Sequence, residues 1–315
     1  MKRMAPEPFP AGARVVFAGD SITCAHDHVA RIAAHYRMKE AGRGVRFWNA
    51  GISGGTIPQL LEFFEPDVAR VRPTHVPLMI GMNDSDRDAL RLDPGDPKRA
   101  ERLESAFARY REGLGVLLDR ISALGAQPIL CTPTPYAEFS PFTCWGTLRG
   151  GHALILRYAD EVRRVASERG LPLVDFHAPV CERYPAEKLY GDDRVHPTPA
   201  GHRIMAETFL AAQGLDADPF ETSEEAAAAA GLGEWLAAWR RYRNLVSAHF
   251  LCLDAAERSL PVEERVAILA SRLAGNAEGK PAPAGWFREI TEIYVADAAR
   301  RAEIAARLDG LGNQE

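Results

Sequence analysis

"GISGG", residues 51–55, spells G-x-S-x-G, and how it is read decides the fold. One reading is a nucleophile elbow, with Ser53 exposed on a sharp turn between a strand and a helix. A strand pattern before it, "VRFWNA" (45–50), and a helical one after it fit that context. The elbow fold, however, has several strands ahead of its nucleophile, and here one strand precedes the loop. No "HGGG"-like oxyanion motif lies upstream either. A rival serine, Ser21, stands in "GDSIT" (19–23), directly after the apolar run "RVVFAG" (14–19).

Working outward from these loops, short β-rich runs alternate with longer helical patterns. The further strand candidates are "HVPLMIG" (75–81), "QPILCTP" (127–133) and "LPLVDF" (171–176). Helical spacing appears around Val29, Ile32, Ala33 and Tyr36, from Ala100 to Leu124, and from Ala153 to Arg169, where Gly170 is a natural stop. Such alternation predicts a parallel sheet covered on both faces. Ligands of such sheets bind beyond the carboxyl ends of the strands. The residues just after each strand therefore carry the functional reading. They are Asp20-Ser21, Gly51 to Gly55, Met82-Asn83-Asp84, "TPTPY" (132–136), and, after a further loop, "YGDDRVHPTPAGH" (190–202).

That last stretch holds Asp193 and His196 three residues apart. A serine hydroxyl attacks only when a base takes its proton, and the base must be held in one tautomer by a third group. In a tight turn this spacing lets the carboxylate reach Nδ1 and leaves Nε2 free for a serine. D-x-x-H alone is common, and an ordinary surface turn is its plain alternative. Thr198-Pro199 reads as an N-cap and first helical residue, so "AGHRIMAETFL" (200–210) is expected to be a helix anchoring the loop.

Taken in order, "GDSIT", "NAGISGGT", "GMND" and "DRVHP" resemble the SGNH hydrolases, also called the GDSL family of esterases and lipases. The resemblance spans about residues 12–212. It implies an α/β class, a three-layer α/β/α flavodoxin-like fold with a five-stranded parallel sheet. It implies Ser21 as nucleophile, His196 as base and Asp193 as its orienting carboxylate. The oxyanion donors it implies are the N–H groups of Ser21 and Gly54 and the side-chain amide of Asn83. Under this resemblance "GISGG" is the glycine-rich oxyanion loop, and Ser53 caps that loop or the following helix. The expected activity is carboxylic ester hydrolysis without cofactor or metal. Short-chain esters are favoured as substrates, O-acetyl groups on carbohydrates among them. A lipase, lysophospholipase or thioesterase is the alternative, and a non-catalytic binding module a more distant one.

Other features admit plainer readings. His26, Asp27 and His28 suggest a metal at first sight, but residues two apart on a helix diverge. A polar wall of the cleft or a solvated helix start is expected there. Asp84 and Asp86 either contact substrate hydroxyls or form a turn. Phe139, Phe142 and Trp145 make an aromatic loop suited to stacking on a sugar or to packing under the C-terminal region. No P-loop or G-x-G-x-x-G is present, which argues against a nucleotide or flavin cofactor protein.

Beyond residue 212 the strand signal ends, so 1–212 is read as the catalytic domain and 213–315 as a helical extension. Trp235, Trp239, Tyr242, Val246, Phe250 and Leu253 form a stripe at steps of three and four. It is expected to pack on the catalytic domain, on its own helices, or on a second subunit as a homodimer. Further helices are expected at 261–273, with Ser259 as N-cap, and at 286–308. His249 reads as a core or boundary residue, and the basic run "RRYR" (240–243) as a solvated face.

The 315 residues are 46% hydrophobic and 26% charged, with a net charge of −5. That is the profile of an ordinary globular protein, too mildly acidic to imply nucleic acid or an anionic membrane as partner. The five cysteines are scattered with no C-x-x-C, which argues against a zinc site or a disulfide framework. No stretch of about 20 apolar residues is present to span a bilayer. No signal peptide is evident, and a cytoplasmic location is the simplest expectation.

Overall fold

The computed structural model describes residues 4–143, 146–216, 220–240, 257, 260 and 262–274. Five parallel strands form one sheet in the order β2-β1-β3-β4-β5. They are β1 (Arg14–Gly19), β2 (Arg46–Gly51), β3 (His75–Met79), β4 (Gln127–Cys131) and β5 (Leu173–Val174). This is the doubly wound order in which the chain reverses direction beside the first strand. β5 is much shorter than the apolar run 171–176. Pro172 has no N–H to donate, and Asp175 turns away to the guanidinium of Arg163, 2.8 Å from its Oδ1.

The register aligns Gly19 with Gly51 and Met79, Met79 with Cys131, and Cys131 with Val174. The strands thus end in one row, and the loops that follow β1, β2, β3 and β4 leave from that row.

Nine helices named here cover the sheet or extend from it: α1 (Ser21–Cys24), α2 (Asp27–Lys39), α3 (Ile57–Glu62), α4 (Phe64–Asp67), α5 (Pro97–Ala123), α6 (Gly151–Arg169), α7 (His177–Arg183), α8 (Pro199–Ala212) and α9 (Ser223–Ala229). α2 and α8 pack together on one face, where Phe17 of β1 meets Phe209 at 5.4 Å and His28 at 6.2 Å between ring centroids. α5 and α6 lie together elsewhere on the sheet, joined by the buried rings of Tyr110 and Tyr158, 4.7 Å apart. The expected punctuation holds. Gly170 caps α6 with a left-handed φ of 63°, and Thr198 caps α8 by accepting from the Gly201 N–H.

The chain after α8 packs onto α2. The buried amide of Gln213 accepts from the Tyr36 hydroxyl (3.0 Å) and donates to the Glu7 carbonyl (2.9 Å). Arg31 of α2 donates to the Phe220 carbonyl at 2.9 Å. Trp235, Leu236 and Trp239, from helical residues 233–240, are each 3% exposed. Arg240, the one residue of the run 240–243 within the described residues, is partly exposed and pairs with Asp27 at 2.6 Å and Glu224 at 2.5 Å. A further helix runs Val262–Leu273. Tyr242, Val246, His249, Phe250, Leu253, Ser259 and the helix expected at 286–308 lie outside the described residues. Among the described residues, no helix is long and apolar enough to cross a membrane.

Candidate active site

At the carboxyl end of β1 the chain turns at once into the one-turn helix α1. Asp20 caps it, its Oδ1 accepting from the Ile22 N–H at 3.0 Å. This cap places Ser21 at the first helical position, over the end of the sheet. Gly51 makes so close an approach feasible, since a Cβ there would stand 2.3 Å from the Cys24 nitrogen. Asn49 ties the two strands' loops together. It donates to the Thr23 carbonyl at 2.7 Å and accepts from the Gly51 N–H at 2.7 Å.

The partner of Ser21 comes from the loop before α8. The Ser21 Oγ lies 2.8 Å from Nε2 of His196. The other ring nitrogen, Nδ1, donates to Asp193 Oδ2. Asp193 Oδ1 accepts from the backbone N–H groups of Val195 and His196, both at 3.0 Å. One carboxylate thus builds the turn and orients the ring. Burial pushes the Asp193 carboxyl up, but the His196 ring and those backbone donors outweigh it and hold it well below the usual carboxylate range. The same hydrogen bond raises the His196 pKa above its ordinary value. Between the two, Arg194 adopts a left-handed φ of 65° and is 9% exposed. Its guanidinium donates to the Ala137 and Ser140 carbonyls at 3.0 and 3.1 Å, pinning the turn to the loop after β4.

Opposite this pair, Ile52 to Gly55 form a turn closed by the Gly55 N–H on the Ile52 carbonyl (2.9 Å), with Gly54 at φ 73°. Asn83 donates its amide to the Gly55 carbonyl at 3.0 Å. Asp84 Oδ1 accepts from the Ile57 N–H at 2.9 Å. The loops bearing Gly54 and Asn83 are therefore stapled to one another twice. Burial pushes the Asp84 carboxyl up to about 7 and that of Asp20 to about 6. The assembly can draw a proton from a hydroxyl onto a neutral imidazole, with N–H donors nearby for developing negative charge.

The structure thus brings Ser21, His196 and Asp193 into one hydrogen-bonded row and joins the loops of Gly54 and Asn83 beside it. Ser53 is elsewhere, at the second position of the Ile52–Gly55 turn. The cap of α3 is Thr56, paired with Gln59 in a capping box, so Ser53 does not cap that helix.

Neither expectation for His26 and His28 survives. They are 0% and 1% exposed, neither solvated nor facing a cleft; His28 is buried against Phe17, Phe176 and His202. His26 packs on Trp235 and Trp239, with ring centroids 4.7 and 6.0 Å away. Among the described residues, no cluster of three metal-ligating side chains occurs. Asp86 pairs with Arg102. Phe139 and Phe142 are exposed on their loop, while Trp145 lies outside the described residues.

Sequence reading missed Asn49, Arg194 and Arg87, the last with its Nη2 3.5 Å from Asn83 Oδ1. Asn49 had a legible signal, a polar residue at the end of an apolar strand. The two arginines had none, because nothing local separates a guanidinium that turns inward from one that stays in water.

A family model for the GDSL-like lipase/acylhydrolase family matches residues 17–204. An acetylxylan esterase of Geobacillus stearothermophilus is 29% identical over 226 residues, 65% of this chain and 96% of that protein. A solved structure of a catalytic mutant of that esterase covers 66% of this chain and 97% of its own, with a TM-score of 0.55. LAE5, an alpha/beta hydrolase enzyme from the metagenome of Lake Arreo, is 30% identical over 65% of this chain and 97% of its own, with a TM-score of 0.52. A gut microbial diltiazem-metabolizing enzyme is similar over 98% of this chain and 97% of its own, with a TM-score of 0.71. At 16% identity, that is a likeness of fold alone.

Proposed function

The chain belongs to the GDSL-like lipase/acylhydrolase family and is a carboxylic ester hydrolase; on that premise we propose that it removes short acyl groups, foremost O-acetyl groups of carbohydrates, through an acyl-enzyme on Ser21. The observation that carries the reading is the contact of 2.8 Å between Ser21 Oγ and His196 Nε2, with Asp193 on the far side of the ring. In this mechanism His196 takes the Ser21 proton as Oγ attacks the ester carbonyl. The N–H groups of Ser21 and Gly54 and the Asn83 amide hold the resulting oxyanion. His196 then returns the proton to the departing alcohol, and a water it activates releases the acid.

Support for a small acyl group on a bulky alcohol comes from exposure. His196 is half exposed, so the reacting hydroxyl is met from solvent rather than through a deep channel. Among the described residues, the exposed large apolar side chains are Met4, Val116, Leu124, Phe139 and Phe142, of which Phe139 and Phe142 belong to the loop after β4 and the others lie outside the loops that carry Ser21, Asp193 and His196. The acetylxylan esterase relative supports the carbohydrate side of the proposal.

The test is a series of p-nitrophenyl esters of rising chain length, run beside acetylated xylo-oligosaccharides. Acetate is expected to be the best acyl group. Ser21→Ala is expected to abolish turnover, Ser53→Ala to keep most of it, and a serine-directed phosphonate to label Ser21. Rates that climb toward octanoate would establish a lipase instead. Label on Ser53 with a still-active Ser21→Ala enzyme would overturn the mechanism.

A further inference from the structure

Arg87 is the cation of this site that the mechanism leaves unused. Its position follows from an uncommon backbone. After β3 the chain passes Asn83 and Asp84 and reaches Asp86, a non-glycine residue at φ 46°. Aspartate tolerates the left-handed region better than most residues, yet such a conformation persists only where the surroundings hold it. Arg102 of α5 supplies the hold, its Nε donating to Asp86 Oδ2 at 2.8 Å and its Nη2 to Oδ1 at 2.5 Å. The reversal at Asp86 sends the next side chain back toward Asn83. Arg87 Nη2 lies 3.5 Å from Asn83 Oδ1.

That bond is long and weak. Among the described residues it is the one hydrogen bond Arg87 makes, so most of the guanidinium N–H groups have no protein acceptor. The charges that face it are Asp20, Asp193 and Asp88, with the Tyr136 hydroxyl nearby; Asp20 and Arg87 in turn face His196. Burial depresses the Arg87 pKa, and these carboxylates offset that cost. A guanidinium partly withdrawn from water, with donors unmatched, beside both the nucleophile's cap and the oxyanion amide, is prepared for acceptor oxygens that arrive with a ligand. Asp88 is exposed and paired with Arg91, which leaves Asp20 and Asp193 facing the guanidinium; beside these two carboxylates a neutral, oxygen-rich ligand is favoured over an anionic one.

We propose that Arg87 is a substrate-contacting specificity residue, donating its spare N–H groups to hydroxyl or ring oxygens of a neutral, polyhydroxylated alcohol whose acyl group Ser21 removes. The assignment rests on the glycan-ester reading above and deepens it. The sugar beside the scissile ester meets the guanidinium, whereas a p-nitrophenyl group offers it no acceptor in that place. Arg87 thereby selects among alcohols and leaves the acyl chemistry to Ser21 and His196.

The experiment compares Arg87→Gln and Arg87→Lys with the unaltered enzyme on p-nitrophenyl acetate and on acetylated methyl xyloside. Rates are read at the pH plateau of each protein, because Arg87 also faces His196. For Arg87→Gln, kcat/KM on the sugar acetate is expected to fall by about 10- to 100-fold, the scale of a hydrogen bond to a charged group. On p-nitrophenyl acetate the change is expected to stay within about threefold, which also certifies the fold. Arg87→Lys is expected to recover part of the sugar activity. Equal losses on both substrates would overturn the proposal and make Arg87 a support of Asn83; unchanged rates on both would overturn it too. An unaltered enzyme that prefers acetylated uronic acids, with the preference lost in Arg87→Gln, would overturn the neutral-alcohol assignment. An unaltered enzyme that cleaves p-nitrophenyl acetate but no sugar acetate would remove the glycan reading itself, and this assignment with it.

Discussion

His196 and His202 stand six positions apart in the chain and on opposite sides of the same anchoring turn. His196 is half exposed at the carboxyl edge of the sheet, and its bond to Asp193 raises its pKa. His202, inside α8, is 3% exposed and stacks on His28 of α2, with ring planes 5° apart and Nδ1 atoms 3.2 Å apart. Burial, together with the charge of His202 facing His28 and those of His196, Arg240 and Arg31 facing His202, lowers the pKa values of His28 and His202 to about 3. One residue type thus serves two ends. At the edge it can be charged in turn, and under the helices it must stay neutral. What separates the two is the carboxylate partner and the access of water, not the local sequence.

The largest expected effect that would break this contrast is at Asp193. Asp193→Asn leaves the turn nearly isosteric but removes the charge that orients and charges His196. A fall in kcat on the order of 10⁴-fold is expected, the scale of losing such a carboxylate from a serine triad. The rising limb of the pH–rate profile should also move. The base must be neutral, so in the unaltered enzyme activity climbs with pH through a midpoint above ~6.5, and in the variant that midpoint drops. A limb that stays put would mean Asp193 does not set the His196 pKa.

Second in size is the cover over the buried side. Trp235→Ala removes a ring packed 4.7 Å from His26, and a loss of about 3 to 5 kcal/mol is expected from thermal or urea unfolding. Because His26 contacts Asn49, which holds α1, a moderate loss of esterase rate should accompany it. Unchanged stability would mean that residues 220–240 do not cover α2 as described.

The smallest effect is in acid. His28 and His202 are neutral when folded and take protons when unfolded below ~6.5. The unfolded chain therefore binds more protons across the window from ~6.5 down to 3, and stability falls as pH is lowered through it. Between pH 7.5 and 5 the unaltered protein is expected to lose up to about 4 kcal/mol through this pair, about 2 for each ring. The double variant His28→Leu, His202→Leu should show a shallower decline, measured as Tm against pH. An unchanged slope would place the acid sensitivity elsewhere.

Much of the site was legible because its chemistry is local. Asp193 and His196 share one turn, so their spacing put the two side chains within reach of each other; Ser21 follows a strand directly, and its meeting with His196, 175 positions on, was implied by the family resemblance. Thr198-Pro199 and Gly170 act on backbone within a few residues of themselves and behaved as read. His26 and His28 were misread because a histidine's burial is set by what packs on it. For His26 that is Trp235 and Trp239, and for His28 it is Phe176 and His202, all well over a hundred positions later.

By itself, then, the sequence determined the alternation of strands and helices, the loops that gather at one edge, and the serine, histidine and aspartate that meet there. The elements follow from hydrogen bonding and periodicity within a few residues, and the serine, histidine and aspartate from the order of the four motifs that carry the family resemblance. Tertiary structure alone decided the sheet order, the inward turn of Arg87 held by Arg102, the clamp of Arg194 on the loop after β4, and the neutrality of the His28–His202 pair. Those depend on contacts between segments far apart in the chain, where desolvation and facing charges set which groups are buried, paired or free to ionise.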